Sequence, residues 1–422
     1  MLATVALGAV AGQGQASAAE GEIRGADSQQ AIKGSYIVVL RDGISTRSTV
    51  DSQAQKYGAT VKHRYSKALN GYAADMSESQ AKRLAADPSV AYVQQNQTIR
   101  LSESQPNPPS WGIDRIDQPD LPLGNSYQYS TDASGVHAYI LDTGINTAHN
   151  DFEGRATWGL NAVGDGKETD CHGHGTHVAG TIGGKSHGVA KAVTLTAVKV
   201  LNCSGQGDTS TVVAGIDWVT ANAEKPAVAN MSLGGGSDPA LDEAVKRSVS
   251  AGITYSLASG NGNVFGMPQD ACQTSPARIG GSAGTAITVN ASDKKDSKAS
   301  FSNYGRCTDV YAPGVDITST WIGSNTATKT ISGTSMAAPH VAGAAALYLA
   351  GNPSATPALV KQALVGAASQ GKIKGVNSDT PNRLVYTGQG GQTPQPGPGP
   401  DPVPIPEPKP WYCMWVPVPF CF

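Results

Sequence analysis

The sequence lacks an excess of charge of either sign. Its 422 residues carry 31 lysines and arginines against 33 aspartates and glutamates, so the formal net charge is −2, and only 15% of the residues are charged. A protein that binds nucleic acid through bulk electrostatics would be strongly basic. The composition therefore argues against a nucleic-acid partner.

Long apolar runs are absent as well. The longest, around residues 340–350, is shorter than the about 20 residues that a bilayer-spanning helix needs, and it is rich in Ala and Gly. We therefore expect no membrane span. Apolar residues still make up 39% of the chain, beside 50 glycines and 26 prolines, which predicts a globular protein with a buried core and many loops.

The cysteines include no Cys-x-x-Cys pair, which argues against a zinc ribbon. An even number of cysteines in a secreted chain suggests disulfides, and pairing of sequence neighbours is the simplest of many connectivities. The six cysteines are Cys171, Cys203, Cys272, Cys307, Cys413 and Cys421.

The N-terminus has the pattern of a secretory signal. Residues 2–12 are apolar, and small residues at 16–19 offer a cleavage site. The positively charged segment that usually precedes such a run is missing, which leaves a truncated start open. We interpret residues 1–19 as a signal peptide and expect the protein to be secreted and extracellular.

Residues 20–103 are predicted to form a small α+β domain. Its predicted elements follow the order βαββαβ, which is that of a ferredoxin-like unit. Such a unit serves as a binding or an inhibitory module, and its fold alone does not distinguish the two. The predicted strands are residues 35–40, 61–65, 71–76 and 90–97, and the predicted helices are 45–57 and 79–86.

Residues 104–388 alternate between short apolar runs and helical stretches. This pattern predicts an α/β domain with a mostly parallel central sheet and helices on both faces. The predicted strands are residues 136–141, 194–200, 227–231, 254–257 and 287–290, and the predicted helices are 209–223, 240–251 and 335–349.

The C-terminal part is different in composition. Residues 389–410 contain a proline at every second position from Pro394 to Pro410, which predicts an extended linker about 50 Å long. Residues 411–422 form an aromatic tail in which Cys413 and Cys421 could close a loop. The tail suggests attachment to an insoluble polymer or a surface; a remnant of a lost domain and a segment trimmed on maturation remain alternatives.

Three segments carry the chemistry of nucleophilic acyl transfer, which needs a hydroxyl, an imidazole that takes its proton and a carboxylate that orients the imidazole. They are Asp142-Thr-Gly after a predicted strand, His172-Gly-His174-Gly-Thr-His177-Val-Ala-Gly, and Gly333-Thr-Ser335-Met-Ala-Ala-Pro339-His. Ser335 is predicted to begin a helix, where free backbone N–H groups could stabilise an oxyanion. Pro339 is predicted at the edge of the first turn of that helix, where the loss of an N–H has little effect.

These three segments resemble those of the subtilisin-family serine peptidases, most of all the secreted proteinase K and aqualysin branch. The order Asp, His, Ser along the chain is that of subtilisin. The resemblance extends from about residue 32 to residue 388, because residues 20–103 are similar to the inhibitory propeptide of the family. It implies a secreted serine endopeptidase that is made as a self-processing zymogen.

The resemblance also implies roles for individual residues. Asp142 would orient His174, His174 would act as general base and then acid, and Ser335 would be the nucleophile. Asn261 matches the side-chain donor of the oxyanion hole. Substrate-binding residues would be Gly205, Gln206, Gly207, Ser232, Leu233, Gly234, Gly235, Ala258, Ser259 and Gly260.

Two structural features come with the same resemblance. Asp114, Asp117, Gln118 and Ser126 match the ligands of one calcium ion, and Asp309 matches a carboxylate of a second calcium site. The pairs Cys171–Cys203 and Cys272–Cys307 match two aqualysin-type disulfides. No cofactor is expected for catalysis itself. The expected partners are protein and peptide substrates and the chain's own propeptide, and we expect a monomer.

These motifs also allow other interpretations. Asp142-Thr-Gly is also typical of aspartic proteases, but no second such motif supplies the partner carboxylate. His172, His174 and His177 could form a zinc cluster, although no His-Glu-x-x-His motif supports it. Ser186 fits the Gly-x-Ser-x-Gly nucleophile elbow, but its flanks have the reverse order of elements. A catalytically silent binding protein on the same fold is the remaining alternative.

Overall fold

The computed structural model describes residues 20–26, 31–97, 103–263 and 265–388. The chain divides into two units, Met1–Glu103 and Ser104–Phe422. The predicted signal peptide, linker and aromatic tail, and with them the Cys413–Cys421 pair, lie outside the described residues. Within the described ranges, no helix combines the length and the apolarity that a bilayer crossing requires.

The first unit has a five-stranded sheet in the order β1-β5-β2-β4-β3, with β2 antiparallel to both of its neighbours. Val38, Tyr72 and Leu84 form part of its buried core. The predicted βαββαβ order is present, and a short strand precedes it. The strands are Ile23–Arg24, Ala31–Leu40, Thr60–Tyr65, Gly71–Asp75 and Val90–Gln97 (β1 to β5), and the helices are Thr46–Tyr57 and Glu78–Ala85 (α1 and α2).

The second unit contains the other elements, except that β6 begins at Glu103, the last residue of the first unit. Its strands β6 to β20 are Glu103–Pro106, Ser126–Tyr129, His137–Asp142, Ala156–Asn161, Thr194–Lys199, Ala227–Met231, Gly235–Gly236, Thr254–Ala258, Thr274–Ser275, Ile287–Ser292, Val310–Pro313, Ile317–Thr320, Thr328–Ile331, Ser369–Gln370 and Arg383–Leu384. Its helices α3 to α8 are Trp111–Ile116, His174–Gly183, Thr209–Asn222, Pro239–Ser250, Thr334–Gly351 and Pro357–Ala367. Short 3-10 helices cover Asn150–Phe152, Ala271–Gln273 and Ala277–Ile279.

A nine-stranded sheet forms the centre of this unit, in the order β19-β20-β16-β15-β13-β11-β8-β10-β9. All of its pairings are parallel except β19 with β20. The predicted mostly parallel α/β architecture is therefore confirmed. Three two-stranded sheets, β6-β7, β12-β14 and β17-β18, lie outside it.

Helices cover both faces of the large sheet because its strands are apolar on both sides. In β8, Ala138 and Ile140 belong to one core together with residues of α4, α7 and α8. Tyr139 and Leu141 belong to a second core with residues of α5 and α6. The alternation of side chains along a strand produces this division. Polar residues at the carboxyl ends of the central strands thus lie beside the N-termini of α4 and α7, where α/β sheets bind their ligands.

Candidate active site

Asp142 and His174 form a direct pair. Asp142 is the last residue of β8, and His174 is the first residue of α4. The Nδ1 atom of His174 lies 2.8 Å from Oδ1 and 2.9 Å from Oδ2 of Asp142, whose side chain is fully buried. A carboxylate can only accept, so Nδ1 carries the hydrogen and Nε2 is left as the basic nitrogen.

The pair shifts the titration of His174. Burial of the ring favours its neutral form, but the negative charge of Asp142 and its hydrogen bond favour the imidazolium more strongly. The pKa of His174 is therefore raised above its ordinary value of 6.5. The ring remains partly accessible, with 20% of its side chain exposed, and it lines a cleft. His174 thus combines contact with the cleft and a tendency to take up a proton.

The two other histidines of the motif are arranged differently. Nε2 of His177 lies 3.0 Å from the carbonyl oxygen of Ile317, and burial lowers the pKa of His177 to about 3. The ring of His172 is centred 6.3 Å from that of His174. Across the described residues, the three histidines do not bring ligand atoms together as a metal centre would require. The zinc interpretation has no support in this geometry.

A buried network that the sequence analysis missed holds the start of α4. Oδ1 of Asp170 accepts hydrogen bonds from the Thr143 hydroxyl (2.9 Å) and from the backbone of Gly173 (2.8 Å), while Oδ2 accepts the backbone N–H of Thr176 (2.9 Å). The Thr143 hydroxyl in turn accepts the N–H of Gly175 (2.9 Å). A carboxylate just before a helix motif is a capping signal, and this signal could have revealed Asp170.

Gly173 is the residue at which this turn needs glycine. Its φ of +102° is in the left-handed region, and a Cβ atom there would lie 2.5 Å from the ring of Trp321. The glycine therefore allows the chain to enter α4 directly at His174. This local geometry keeps the imidazole at the end of β8.

Ser335 lies in the first turn of α7, which begins at Thr334. In the described part of the chain its hydroxyl donates to the carbonyl oxygen of Ser232 (3.1 Å) and makes no hydrogen bond with His174. A catalytic hydrogen bond is often long or misaligned without substrate, so this geometry is compatible with a nucleophile. A rotation about the Cα–Cβ bond of Ser335 changes the direction of the hydroxyl.

The prediction for Pro339 was wrong. Because α7 begins at Thr334, Pro339 lies inside the helix rather than at the edge of its first turn. Proline has no N–H, so it cannot donate to the carbonyl of the residue four positions earlier, which is Ser335. The hydroxyl of Ser232 donates to this carbonyl instead (2.8 Å). Ser232 and Ser335 are thus joined by two reciprocal hydrogen bonds.

Asn261 is held by the residue next to Ser335. Its Oδ1 atom accepts both the backbone N–H and the hydroxyl of Thr334, each at 2.8 Å. This contact fixes the amide so that Nδ2 remains available as a donor. Nδ2 of Asn261 and the backbone nitrogen of Ser335 lie 3.4 and 3.6 Å from the position of a virtual Cβ atom on Gly333. Two nitrogen donors therefore lie near one point beside Ser335, together with Sδ of Met336 at 3.6 Å, and an oxyanion hole needs two such donors close together.

The predicted substrate-binding residues fall into two groups. A cleft of about 730 Å³ is lined by His174 together with both predicted peptide-binding segments, residues 205–207 and 232–235. Residues 258–260 do not line this cleft. Ala258 is the last residue of β13, the neighbour of β11, and Ser259 and Gly260 follow it. The structure therefore places residues 205–207 and 232–235 in one cleft with the imidazole of His174. Residues 258–260, the third predicted segment, lie at the end of the neighbouring strand β13 and outside the lining of this cleft.

Asn303 holds the third segment, and the sequence analysis did not identify it. Its Nδ2 atom donates to the carbonyl of Ser259 (2.8 Å), and its backbone N–H donates to the carbonyl of Gly260 (3.0 Å). Gly260 has a φ of +103°, and a Cβ atom there would lie 2.4 Å from Nδ2 of Asn303. The close approach explains why this position needs glycine, and it positions the chain that leads to Asn261.

Four of the five predicted calcium ligands lie in one region. Around the position of a virtual Cβ atom on Gly124 lie Oε1 of Gln118 at 3.2 Å, Oδ1 of Asp114 at 3.7 Å and Oγ of Ser126 at 3.8 Å. Burial and the neighbouring charge of Asp114 raise the pKa of Asp117 to about 6. Asp309 lies elsewhere, directly before β16, and its carboxylate accepts the backbone N–H groups of Gly281 and Thr288.

Two disulfides connect loops of the second unit. Cys171 is joined to Cys203, which links the segment before α4 to the segment that leads into the cleft. Cys272 is joined to Cys307. Both pairings agree with those that the resemblance implied.

Comparisons with known proteins identify the family. Residues 133–386 match the model of the subtilase family, and residues 35–102 match that of the peptidase inhibitor I9. An extracellular serine proteinase of Thermus sp. (strain Rt41A) is 47% identical over 394 residues, with 88% of this chain and 94% of that protein covered. Alkaline serine exoprotease A of Vibrio alginolyticus is 47% identical over 348 residues, with 81% and 63% covered.

A solved structure agrees with these relatives. The crystal structure of a cold-adapted subtilisin-like serine proteinase matches with a TM-score of 0.62 and 50% identity, and it covers 66% of this chain and 97% of that one. The inhibitor match lies within the predicted propeptide, residues 20–103, and the subtilase match lies within residues 104–388; the exact boundaries stay predictions. The chain belongs to the subtilase family and is a secreted serine endopeptidase made as a zymogen with an inhibitor-type propeptide.

Proposed function

We propose that Asp142, His174 and Ser335 form the catalytic triad of this peptidase and that Asn261 donates to the oxyanion. The observation that carries the proposal is the 2.8 Å contact between the buried Asp142 carboxylate and Nδ1 of His174. His174 lines a cleft that Ser232 also lines. An orienting carboxylate, a base and a hydroxyl tethered to the cleft are the components of nucleophilic acyl transfer.

In the first step, Nε2 of His174 takes the proton of the Ser335 hydroxyl, and Oγ attacks the carbonyl carbon of the scissile peptide bond. The negative charge of Asp142 stabilises the imidazolium that forms. The charge that develops on the substrate oxygen is stabilised by the Nδ2 group of Asn261 and the backbone N–H of Ser335. His174 then gives its proton to the leaving amine, and the acyl-enzyme remains.

The second step reverses these roles for water. His174 takes a proton from a water molecule, which attacks the acyl carbon, and the same two donors stabilise the second oxyanion. When this intermediate breaks down, the proton returns to Oγ of Ser335. The cycle needs no group beyond those of the chain and water.

An extended peptide is the substrate that suits the cleft. Residues 205–207 and 232–235 are rich in glycine, whose missing side chain lets a substrate strand approach the backbone closely. Leu201, Val212 and Leu241 add apolar surface to the lining. We infer a broad specificity with a preference for apolar or aromatic side chains, with Ala258, Ser259 and Gly260 beside the scissile residue.

The first unit acts as the intramolecular inhibitor and as the first substrate. The match of residues 35–102 to an inhibitor family supports this role. Cleavage near residue 103 would release the catalytic unit, and the mature enzyme would work as an extracellular monomer.

We also propose that a structural calcium ion binds at Asp114. Oxygen atoms of Asp114, Gln118 and Ser126 lie within 3.8 Å of one point beside Gly124, whose backbone N–H donates to both Asp114 and Gln118. The Asp117 carboxylate lies close enough to Asp114 for its pKa to be raised. Hard oxygen donors of this kind suit calcium. When bound, the ion would neutralise two neighbouring carboxylates and fix the loop of residues 117–126, and it would take no part in the hydrolysis.

The triad is tested by covalent labelling. A serine-directed phosphonate should add one label per molecule, which peptide mapping should locate on Ser335, and casein hydrolysis should stop as the label is added. Ser354→Ala, a change of an exposed serine in the loop between α7 and α8, is the matched control and should be labelled normally. Casein hydrolysis that survives stoichiometric labelling of Ser335 would contradict the proposed role of Ser335 as the nucleophile.

A further inference from the structure

The second predicted calcium site has an unexpected neighbour. The resemblance to the family places a calcium ligand at Asp309, which is 2% exposed. In the structure, Nζ of Lys361 lies 3.1 Å from Oδ1 of Asp309. Lys361 belongs to α8, 52 positions further along the chain, so the local sequence around Asp309 gives no indication of this contact.

Backbone oxygens complete a cage around the ammonium group. Nζ of Lys361 donates to the carbonyls of Gly281 (2.7 Å), Gly284 (3.1 Å) and Ala286 (2.7 Å). Together with the Asp309 carboxylate, four oxygen atoms therefore converge on one nitrogen. The lysine side chain is 11% exposed, so the charge is largely withdrawn from water. A buried charge of this kind persists only with a partner and with its hydrogen bonds satisfied.

These residues do not fit a calcium ion. Calcium needs six to eight oxygen ligands at about 2.3 to 2.6 Å, and the position that the oxygens enclose is taken by the ammonium nitrogen. The other oxygen of Asp309, Oδ2, is also engaged, because it accepts the N–H groups of Gly281 (3.0 Å) and Thr288 (2.8 Å). One carboxylate balances one ammonium charge, and a divalent ion beside them would leave an excess of positive charge in a buried site.

We propose that the ammonium group of Lys361 is the built-in cation of the Asp309 site and that this site therefore binds no calcium. The lysine does what a bound metal would do there: it draws three loop carbonyls and one carboxylate together. The cation is covalently part of the chain, so its local concentration does not depend on the medium.

The site supports a wall of the substrate cleft. The caged loop follows β14 and the 3-10 helix Ala277–Ile279, and β14 pairs with β12, where Gly235 lies opposite Ser275. Gly235 is one of the proposed peptide-binding residues. The ammonium group of Lys361 thus stabilises the loop that follows β14, the strand that pairs with β12.

The test counts calcium ions and measures melting temperatures rather than activity. It uses mature enzyme blocked with a sulfonyl fluoride, in an Asp114→Asn, Asp117→Asn background that removes the other proposed calcium site. In this background, Asp309→Asn should leave the number of bound calcium ions unchanged while it lowers the melting temperature. Loss of one calcium ion per molecule on Asp309→Asn would overturn the proposal.

Lys361 itself gives the complementary test. In calcium-free buffer, Lys361→Ala should lower the melting temperature by about 10 °C, because it leaves a buried carboxylate unpaired. In buffer that contains calcium, the same variant should bind one calcium ion more per molecule than the unchanged enzyme. Lys361→Met, which fills the space without charge, should have a lower melting temperature than the unchanged enzyme and should bind no additional calcium ion. Lys246→Ala, a change of an exposed lysine in α6, is the control and should change neither quantity. A melting temperature of Lys361→Ala equal to that of this control would also overturn the proposal.

Discussion

The side-chain oxygen of Asn261 accepts two hydrogen bonds from Thr334, one from its backbone and one from its hydroxyl, both at 2.8 Å. Because both bonds use Oδ1, they fix which end of the amide is directed at the space beside Ser335. The residue next to the proposed nucleophile therefore orients the proposed oxyanion donor.

Asn261→Ala should lower kcat by about 100-fold or more and change KM only a few-fold, because the amide would contact charge that develops in the transition state. The corresponding loss, about 3 to 4 kcal/mol, is a magnitude known from subtilisin itself. Steady-state kinetics on a soluble peptide measure both constants. A change confined to KM would show that Asn261 only binds the substrate.

Thr334→Val should reduce kcat less than Asn261→Ala does, since it removes one of the two bonds that orient the amide and leaves the backbone bond in place. The hydroxyl of Thr334 also accepts the N–H of Gly260 at 3.1 Å, so the change should loosen the third substrate segment as well. Comparison of the two variants separates the orienting role from the donating role. A kcat equal to that of the unchanged enzyme would show that the hydroxyl orients nothing.

Ser335→Ala should abolish peptidase activity and leave the precursor uncut near residue 103, because the first substrate of the active site would be its own propeptide junction. Electrophoresis and mass spectrometry of the purified, secreted product show whether cleavage occurs. A trace of active wild-type enzyme should still cut the mutant precursor, which tests that the junction is intact. Normal maturation without added protease would refute self-processing.

The pH dependence of kcat/KM should follow His174. Its pKa is raised, and the imidazolium cannot accept the proton of Ser335, so activity should be lost as the pH falls through a midpoint above 6.5. Asp142→Asn removes the charge that raises this pKa, so the midpoint should move to lower pH while kcat falls by about 10⁴-fold. An unchanged midpoint in this variant would show that another group controls the acidic limb.

Removal of calcium should shorten the half-life at elevated temperature more than it reduces initial activity at room temperature. An ion that binds only the folded protein stabilises it by about 2.7 kcal/mol at a concentration 100 times its Kd. Asp114→Asn should make the half-life insensitive to a chelator, whereas Asp120→Asn, a change of an exposed carboxylate nearby, should not. If chelation leaves the half-life of the unchanged enzyme as it was, the calcium site at Asp114 is wrong.

The sequence predicted most of what depends on local pattern. The predicted helices at 209–223 and 240–251 correspond to Thr209–Asn222 and Pro239–Ser250, and the strand at 136–141 corresponds to His137–Asp142. Buried parallel strands and capped helices differ in length and period, so they leave a clear signal. The helix Pro357–Ala367 and the strand Ala156–Asn161 were not predicted. The strand is only partly buried and includes a glycine, which weakens its pattern.

The remainder of the site depends on contacts between distant residues. Asp170 reaches Thr143 across 27 positions, and Asn303 reaches Ser259 across 44. A local capping signal can reveal Asp170 itself, but the distant partner in each contact cannot be predicted locally, because the sheet order decides which loops meet. The pair Asp309 and Lys361 belongs to the same class: the motif around Asp309 indicated a metal ligand, and only the fold reveals the ammonium group beside it.

Pro339 has a consequence beyond the shape of its helix. Because Pro339 removes the N–H that would normally donate to the carbonyl of Ser335, this carbonyl accepts the hydroxyl of Ser232, in the segment against which a peptide would lie. In the proposed mechanism, the two hydrogen bonds between Ser232 and Ser335 would fix the distance between a docked peptide and Oγ of Ser335. The N–H that Pro339 lacks in α7 is thus replaced by a hydrogen bond that joins Ser335 to Ser232.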